Sequence, residues 1–425
     1  MRIIVNKITF ELVASMLIQA FYALSQLLVL AISAALLDVE SFGGFGIMFT
    51  VFILVQSLST NGLENYIFSK CDDKLDEATS TGLNDCLKSF YDIYLKLLIL
   101  ALPIFFFFTN YFRDKFLVYS LCLLCPLVII PVISYKSALL RCKGFNLIVV
   151  FLNNVIRPLM FVFLAIVYYM FYGDRGVSAL SLFIMFSFPF FLLLIFYNNF
   201  FSSKLNMNVG LLRDKWSAFT NPLGLKVFLF SAPPFLVLLN SQLDVLLVGM
   251  LMPMSEVAIY KVASSISSVF LIPLTGVVFY LSPRLRSMLE GGEGVALIKS
   301  SIRIAFLISV CAYGGFFLIG DYLIIMTFGD QYLGAFSIGL ILGIGTLFSV
   351  AAGINLVSLL VLGMHMDAIR YACIIIIVNI SLNMLLIPVL GYAGAAVSTV
   401  FSTILMNVLL TLKVRKETKI NISII

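Results

Sequence analysis

The chain consists of long, continuously apolar segments separated by short polar breaks. Each segment is long enough to cross the ~30 Å hydrocarbon layer of a bilayer, which takes about 20 helical residues. Helices are predicted rather than barrel strands, because the apolar positions do not alternate with polar ones. We predict twelve membrane-spanning helices, at residues 10–36, 42–67, 90–111, 116–136, 146–172, 178–201, 226–252, 257–281, 302–326, 335–362, 370–390 and 393–413.

The order of these segments indicates an internal duplication. Residues 173–183 (GDRGVSALSLF) and 391–401 (GYAGAAVSTVF) carry two glycines at the same spacing, 218 positions apart, and each segment opens the last span of a half-chain. The segment 41–45 corresponds in the same way to 256–260. We therefore predict an all-α integral membrane protein with two pseudo-symmetric six-helix bundles around a central cavity. The bundles are 1–205 and 226–425, joined by a cytoplasmic linker at 206–225. This plan is typical of secondary transporters.

Composition excludes a water-soluble globule, because 62% of residues are hydrophobic and only 11% are charged, against about 25% charged in soluble domains. Of the 27 lysines and arginines, 21 fall in the termini and in alternate connections, and four fall on the opposite side. Cytoplasmic loops carry the excess of basic residues. The imbalance predicts that both termini are cytoplasmic, and it explains the net charge of +6 without nucleic acid as a partner.

Motifs for enzymatic chemistry are missing from the sequence. The nearest approach to a phosphate-binding loop, GGEGVALIKSS at 291–301, has Ile298 where a glycine must precede the lysine. The predicted outer loops are short, the single histidine, His365, has no metal-ligating neighbours, and the seven cysteines form no framework. We expect no enzyme, no bound metal and no cofactor, apart from coupling to H⁺ or Na⁺.

Polar and charged residues nevertheless occur inside several predicted spans, where a charge at a helix centre costs about 2.5–3.5 kcal/mol. In the first two spans of each half they recur at helical spacing, as in Glu11, Gln19 and Gln26. These residues also have purely structural explanations. They could form hydrogen bonds between helices, Asp244 and Arg157 could form an ion pair, and the Lys261 side chain could reach the membrane interface. Because equivalent helices of both halves carry these stripes, we favour a water-filled cavity. We predict substrate contacts at Lys261, Arg157, Gln19, Gln26, Asn240, Ser265 and Ser268, and ion coupling at Asp244 and Glu11.

Two further charged positions are expected at the edge of the membrane. Lys96 lies one turn after Asp92, which predicts an ion pair near the inner surface. Glu64 ends the second predicted span and is expected to be interfacial.

Three segments resemble the O-antigen and polysaccharide flippases (Wzx-type) of the MOP superfamily, whose fold is MATE-like: 243–285 (LDVLLVGMLMPMSEVAIYKVASSISSVFLIPLTGVVFYLSPRL), 35–64 and 386–402 (LIPVLGYAGAAVSTVFS). The resemblance covers essentially the whole chain. It implies a bacterial inner-membrane flippase that moves undecaprenyl-pyrophosphate-linked oligosaccharides to the periplasmic leaflet by alternating access, for O-antigen or other surface polysaccharide. It also implies a polysaccharide polymerase and a chain-length regulator as partners. A basic residue common before the first outer turn is replaced by Ala34 and Ala35, which leaves Arg157 and Lys261 as candidate phosphate partners.

Three alternatives remain open at this stage. A multidrug or metabolite antiporter coupled to a cation would have the same fold, but it would favour an anionic cavity. A membrane polymerase or ligase requires catalytic residues in the outer loops, and the loops offer none. A purely structural membrane protein gives no reason for charges in mid-span.

Overall fold

The structure is a computed structural model that describes residues 20–21, 23–64, 67, 77–109, 111–142, 145–173, 177–205, 222–282, 285, 288–289, 294–420 and 422–424. Throughout these residues the regular secondary structure is helical. The helices in chain order are α1 (Ala23–Leu36), α2 (Val39–Ser57), α3 (Glu77–Phe108), α4 (Phe116–Cys142), α5 (Asn146–Phe151), α6 (Arg157–Tyr172), α7 (Ala179–Leu205), α8 (Pro222–Leu251), α9 (Met254–Val269), α10 (Ile272–Leu281), α11 (Val295–Thr327), α12 (Ala335–Ala352), α13 (Asn355–Val361), α14 (His365–Leu390) and α15 (Tyr392–Thr418).

Each predicted span contains helix in the part of the chain that is described, although the span 335–362 is interrupted at residues 353–354. Nine helices there are long and apolar enough to cross a membrane, or ten if the bent pair Met254–Val269 and Ile272–Val278 forms one span with its 50° bend. The predicted spans 10–36, 42–67 and 90–111 include residues outside the description. The all-helical membrane fold is therefore confirmed, and the count of twelve stays a prediction.

Internal packing divides the chain into two compact units. Unit 1 contains Met1–Gly43 and Asn240–Ile425, and unit 2 contains Gly44–Leu239. The predicted division into bundles 1–205 and 226–425 stays a prediction, because residues 206–221 of the linker lie outside the described residues.

Unit 2 is built around a cluster of phenylalanines from α2 and α7. Phe183, Phe186 and Phe190 recur at helical spacing and share one face of α7. Their ring centroids lie 5.9, 5.2 and 5.3 Å from that of Phe52 on α2, each in an edge-to-face arrangement. Such pairs add about 0.5–1.5 kcal/mol each beyond the burial of their area, so this cluster fixes α7 against α2.

Unit 1 is held together by close helix contacts at small residues. The packing of α15 against α12 and α14 is the most extensive in the unit. A Cβ atom on Gly394 of α15 would lie 2.3 Å from the carbonyl oxygen of Leu386 on α14. Likewise, a Cβ on Gly43 would lie 2.0 Å from the carbonyl oxygen of Met254, where α9 begins. Glycine is needed at both positions because any side chain would overlap a backbone atom.

The first glycines of the two similar segments, Gly173 and Gly391, have the same backbone conformation. Gly173 ends α6 with φ 57° and ψ −149°, and Gly391 ends α14 with φ 63° and ψ −145°. Both positive φ values lie in a region that residues with a side chain rarely adopt. The fifth helix of each predicted half therefore ends at a glycine of the same conformation.

Candidate functional site

A buried carboxylate lies at the centre of unit 1. Asp244 is on α8, downstream of the helix-loosening pair Pro233 and Pro234, and it is 1% exposed. Its Oδ2 accepts hydrogen bonds from the hydroxyl of Tyr260 on α9 and, over 2.8 Å, from Oγ1 of Thr399 on α15. Its Oδ1 is buried and has no hydrogen-bond partner among the described residues. One oxygen of the carboxylate is thus bound, and the other is left to accept a proton or a cation.

A buried ammonium lies beside this carboxylate. Lys261, on α9, is 3% exposed, and its Nζ donates a hydrogen bond of 3.3 Å to Oε1 of Gln242 on α8. The ammonium also attracts the Asp244 carboxylate electrostatically. Lys261 is therefore a buried cation within the protein, not a side chain that reaches the membrane surface.

A row of amides continues the polar cluster from α8 to α14 and α15. Nδ2 of Asn379 lies 3.0 Å from Oδ1 of Asn240 and 3.1 Å from Oγ of Ser402, so both oxygens accept from the same amide. One turn later, Nδ2 of Asn383 donates to the carbonyl oxygen of Asn379 over 3.0 Å. All four side chains are buried. Since each bond removes an otherwise costly buried polar group, the row stabilises the contact among these three helices.

The predicted serines of α9 are placed differently. Oγ of Ser265 donates to the carbonyl oxygen of Lys261 over 2.7 Å, and Oγ of the exposed Ser268 donates to that of Ser265 over 2.6 Å. Their hydroxyls thus bond to the backbone of their own helix, and none of these bonds joins the cluster around Asp244. Gln26, on α1, has a buried Nε2 with no hydrogen-bond partner among the described residues. Gln19 and Glu11 lie outside the described residues.

Unit 2 contains a second buried cation, Arg157. It follows the π-helical segment Leu152–Ile156 and is 7% exposed. Its guanidinium lies over the ring of Phe190, with Cζ 4.9 Å from the ring centroid. Its Nε is buried without a hydrogen-bond partner, and none of the described acidic residues forms an ion pair with Arg157. A buried cation without a counter-ion favours an anionic ligand.

Two other predicted charge positions have clear partners in unit 2. Nζ of Lys96 lies 2.6 Å from Oδ2 of Asp92, which confirms the predicted ion pair. The carboxylate of Glu64 accepts from Oγ of Ser137 and from Nη1 of Arg141, both over 3.0 Å, and its side chain is 13% exposed. Glu64 is therefore tied to α4 inside the unit and is more buried than an interfacial side chain would be.

Six residues of the unit 1 cluster were not predicted as site residues: Gln242, Tyr260, Asn379, Asn383, Thr399 and Ser402. Asn379 and Asn383 are spaced by four and share one face of a helix, which was a usable signal. Thr399 and Ser402 are three residues apart on one helix. Many serines and threonines with this spacing only hold membrane helices together, so the spacing alone did not indicate a site.

The comparisons with known proteins agree with this architecture. A family model described as "Polysaccharide biosynthesis protein" matches residues 32–337, which is most of the chain. The chain belongs to this family. No curated protein sequence matches it.

Several solved structures of membrane transporters share the fold of this chain. An inward-facing multidrug resistance MATE transporter is 16% identical, with a TM-score of 0.71 over 94% of each chain. The lipid II flippase MurJ, in an inward closed conformation, is 14% identical, with a TM-score of 0.64 over 96% of this chain and 87% of MurJ. A MOP superfamily transporter from Pyrococcus furiosus, reported to have a binding pocket of reversed polarity, is 14% identical with a TM-score of 0.63, over 97% of this chain and 96% of that one.

These similarities establish the fold of the protein. The chain is a multi-pass membrane protein with the MATE-like fold of the MOP superfamily, as the sequence predicted. The matched structures are transporters and a flippase, not enzymes.

Proposed function

We propose that the protein is a flippase for undecaprenyl-pyrophosphate-linked oligosaccharides, which it moves from the cytoplasmic to the periplasmic leaflet of a bacterial inner membrane by alternating access. The polysaccharide biosynthesis family and the MOP fold support a transporter of polysaccharide precursors. The observation that carries the proposal is Arg157, a buried cation with no acidic partner among the described residues. The transferred units are building blocks for O-antigen or another surface polysaccharide. Both termini face the cytoplasm in this proposal.

The charged phosphate groups are the part of the substrate that cannot cross the membrane without the protein. An unpaired ion in hydrocarbon costs many kcal/mol, so a pyrophosphate cannot cross the bilayer without a partner of opposite charge. A guanidinium binds phosphate oxygens through two parallel hydrogen bonds, and an ammonium acts as a point charge. We assign Arg157 of unit 2 and Lys261 of unit 1 as phosphate partners, each within its own unit.

The neutral polar groups are proposed as contacts for the sugars. Gln26 has a buried amide nitrogen with no partner among the residues described, so it has a donor available. Asn240, Ser265, Ser268 and Gln19 complete the proposed sugar contacts. The amide of Asn240 and the two serine hydroxyls already form bonds inside the protein. They would have to exchange these bonds when a sugar binds.

Asp244 is proposed as the ion-coupling group, together with Glu11. A buried carboxylate with one unpartnered oxygen can take up H⁺ or Na⁺ and return it in the next half of a transport cycle. A polysaccharide polymerase and a chain-length regulator are the expected partners, because each flipped unit has to be polymerised on the far side.

The second candidate function is a cation-coupled antiporter for drugs or metabolites. The likeness to a multidrug resistance transporter and the same Asp244 oxygen favour it. Such a carrier needs an acidic site for cationic substrates, whereas Arg157 and Lys261 add positive charge to the two units.

A reconstituted assay separates these functions. Purified protein in liposomes receives a fluorescent undecaprenyl-pyrophosphate oligosaccharide, and its transfer is followed by quenching from one side. The proposal predicts transfer that exceeds the rate in protein-free liposomes, with no new glycosidic bonds in the recovered lipid. Transport of cationic dyes without lipid transfer would establish the antiporter instead. Longer glycans would establish a polymerase.

A further inference from the structure

Lys261 and Asp244 are oppositely charged, buried side chains of the same cluster, and the proposed substrate also needs the Lys261 ammonium. We infer that Asp244 acts as a built-in competitor of the phosphate: it holds Lys261 in the empty protein and reclaims it after the phosphate leaves. The inference rests on the proposed function and assigns a role in substrate release to Asp244, Gln242 and Tyr260.

The contact between α8 and α9 provides the geometry for this competition. Adjacent residues of α9 bond to α8: the Tyr260 hydroxyl donates to Oδ2 of Asp244, and Nζ of Lys261 donates to Oε1 of Gln242. The ammonium also attracts the carboxylate. A neutral amide is a weaker partner for an ammonium than a charged oxygen is, so a phosphate that reaches this position can displace Gln242 and compete with Asp244.

The carboxylate has other support, which lets the ammonium move. Oδ2 of Asp244 accepts hydrogen bonds from Tyr260 and Thr399, and neither bond involves Lys261. Asp244 therefore stays in place, and while it is ionised it is a negative charge at a fixed position, whereas the lysine side chain, with its flexible four-carbon stem, can change partner. A phosphate bound at Lys261 is repelled by this fixed charge, and repulsion between like charges in a buried site is large. The carboxylate thus weakens binding and speeds release.

The other charged groups near this contact do not offer the same role. Glu256 begins α9, more than one turn before Lys261, and lies near Tyr392. The helix α14 contributes amides to the cluster, as in the bond between Asn379 and Asn240, and α12 contains no charged residue. Glu256 therefore serves as a matched control for the removal of a negative charge from the same region.

The test measures the affinity of the full-length protein in nanodiscs for farnesyl pyrophosphate, and its transfer rate for the labelled lipid-linked oligosaccharide in liposomes. Asp244→Asn is expected to bind farnesyl pyrophosphate about tenfold more tightly and to transfer lipid several-fold more slowly. Gln242→Glu adds a carboxylate beside the ammonium and is expected to weaken binding about tenfold. Glu256→Gln is expected to leave both values within about twofold.

The dependence on Lys261 is the decisive arm of the experiment. Lys261→Ala is expected to lose at least about tenfold in affinity, and in that background Asp244→Asn should no longer tighten binding. If Asp244→Asn leaves the affinity unchanged or lowers it, or tightens it equally without Lys261, the competition is refuted. Should Asp244→Asn fail to accumulate as folded protein, an unchanged affinity in Gln242→Glu would refute it. Wild-type protein that neither binds farnesyl pyrophosphate nor transfers lipid would instead overturn the proposed function.

Discussion

Thr399 donates a 2.8 Å hydrogen bond to Oδ2 of Asp244, which lies 155 residues earlier in the chain. The bond joins α15 to α8 inside unit 1 and supplies one of the two hydroxyl donors of the buried carboxylate. Together with the amides of Asn240 and Asn379, it makes the cluster a contact among four helices, α8, α9, α14 and α15. The stability of unit 1 therefore depends on polar groups that also surround the proposed coupling site.

Removal of this donor is predicted to destabilise the protein. Thr399→Val keeps the shape of the side chain but leaves the carboxylate with one donor fewer, at a cost of about 1–3 kcal/mol. The free energy of unfolding in an SDS titration measures the change. Thr275→Val is the control. Thr275 is exposed, and its hydroxyl donates to the carbonyl oxygen of Ile272, three residues earlier in the same helix, α10. Equal losses in both variants would argue against a special role for Thr399.

The glycine turn before α15 gives a second prediction. Gly391→Ala forces alanine into a positive φ of 63°, at a cost of about 1–2 kcal/mol. Gly314→Ala provides the contrast, because Gly314 lies within α11 and a Cβ there would meet nothing within 4 Å. Alanine in a helix interior gains about 0.5–1 kcal/mol over glycine. The same unfolding titration should therefore move the two variants in opposite directions, and a stable Gly391→Ala would contradict the account of the turn.

The ion pair between Glu64 and Arg141 is predicted to matter more for stability than the pair between Asp92 and Lys96. The two carboxylates are similarly buried, at 13% exposed for Glu64 and 11% for Asp92, but the cation differs: Arg141 is 26% exposed and Lys96 is 35% exposed, so Lys96 is more easily solvated when it loses its partner. Glu64→Gln removes the charge that compensates Arg141, and we expect a loss of about 1–2 kcal/mol after allowance for partial solvation. Asp92→Asn should lose about 0.5 kcal/mol or less. A larger loss of unfolding free energy in Asp92→Asn than in Glu64→Gln would show that burial does not determine which of the two ion pairs contributes more.

The fold was predictable from the sequence because its signals are local. Continuous apolar runs require helices in a membrane, and Gly173 and Gly391 mark equivalent turns by their conformation as well as by their spacing. The family and the fold were confirmed on this basis. The π-helical segments Leu58–Glu64 and Leu152–Ile156 were not foreseen, because no local residue pattern distinguishes them from ordinary helix.

The site was predictable only in part. Charges in mid-span have few explanations, so Asp244, Lys261 and Arg157 were visible, and the first two do lie together in unit 1. Thr399 was missed because its partner is far away in the chain, and pairing across helices leaves no periodic signal. Ser265 shows the opposite limit: its spacing suggested a polar face, yet its hydroxyl bonds to the backbone of its own helix. The roles of all these residues stay predictions.

The membrane potential gives a prediction that concerns the substrate. Outward movement of about two negative charges from a negative interior gains roughly 4–5 kcal/mol per 100 mV. Lipid transfer in liposomes should therefore speed up when a potassium diffusion potential makes the starting side negative, and slow down when the potential is reversed. Equal rates at both polarities would contradict the transfer of a net negative charge.

The central claim is that the buried guanidinium of Arg157 binds the phosphate of the lipid substrate during transfer. It is tested most directly by the rate of lipid transfer for Arg157 variants reconstituted in equal amounts. The account predicts that Arg157→Ala lowers the rate at least about tenfold, because a charge-assisted phosphate contact contributes well over 1.4 kcal/mol. It also predicts that Arg157→Lys keeps much of the rate, and that the exposed Arg113→Ala keeps all of it. Transfer at the wild-type rate by folded Arg157→Ala would contradict the claim.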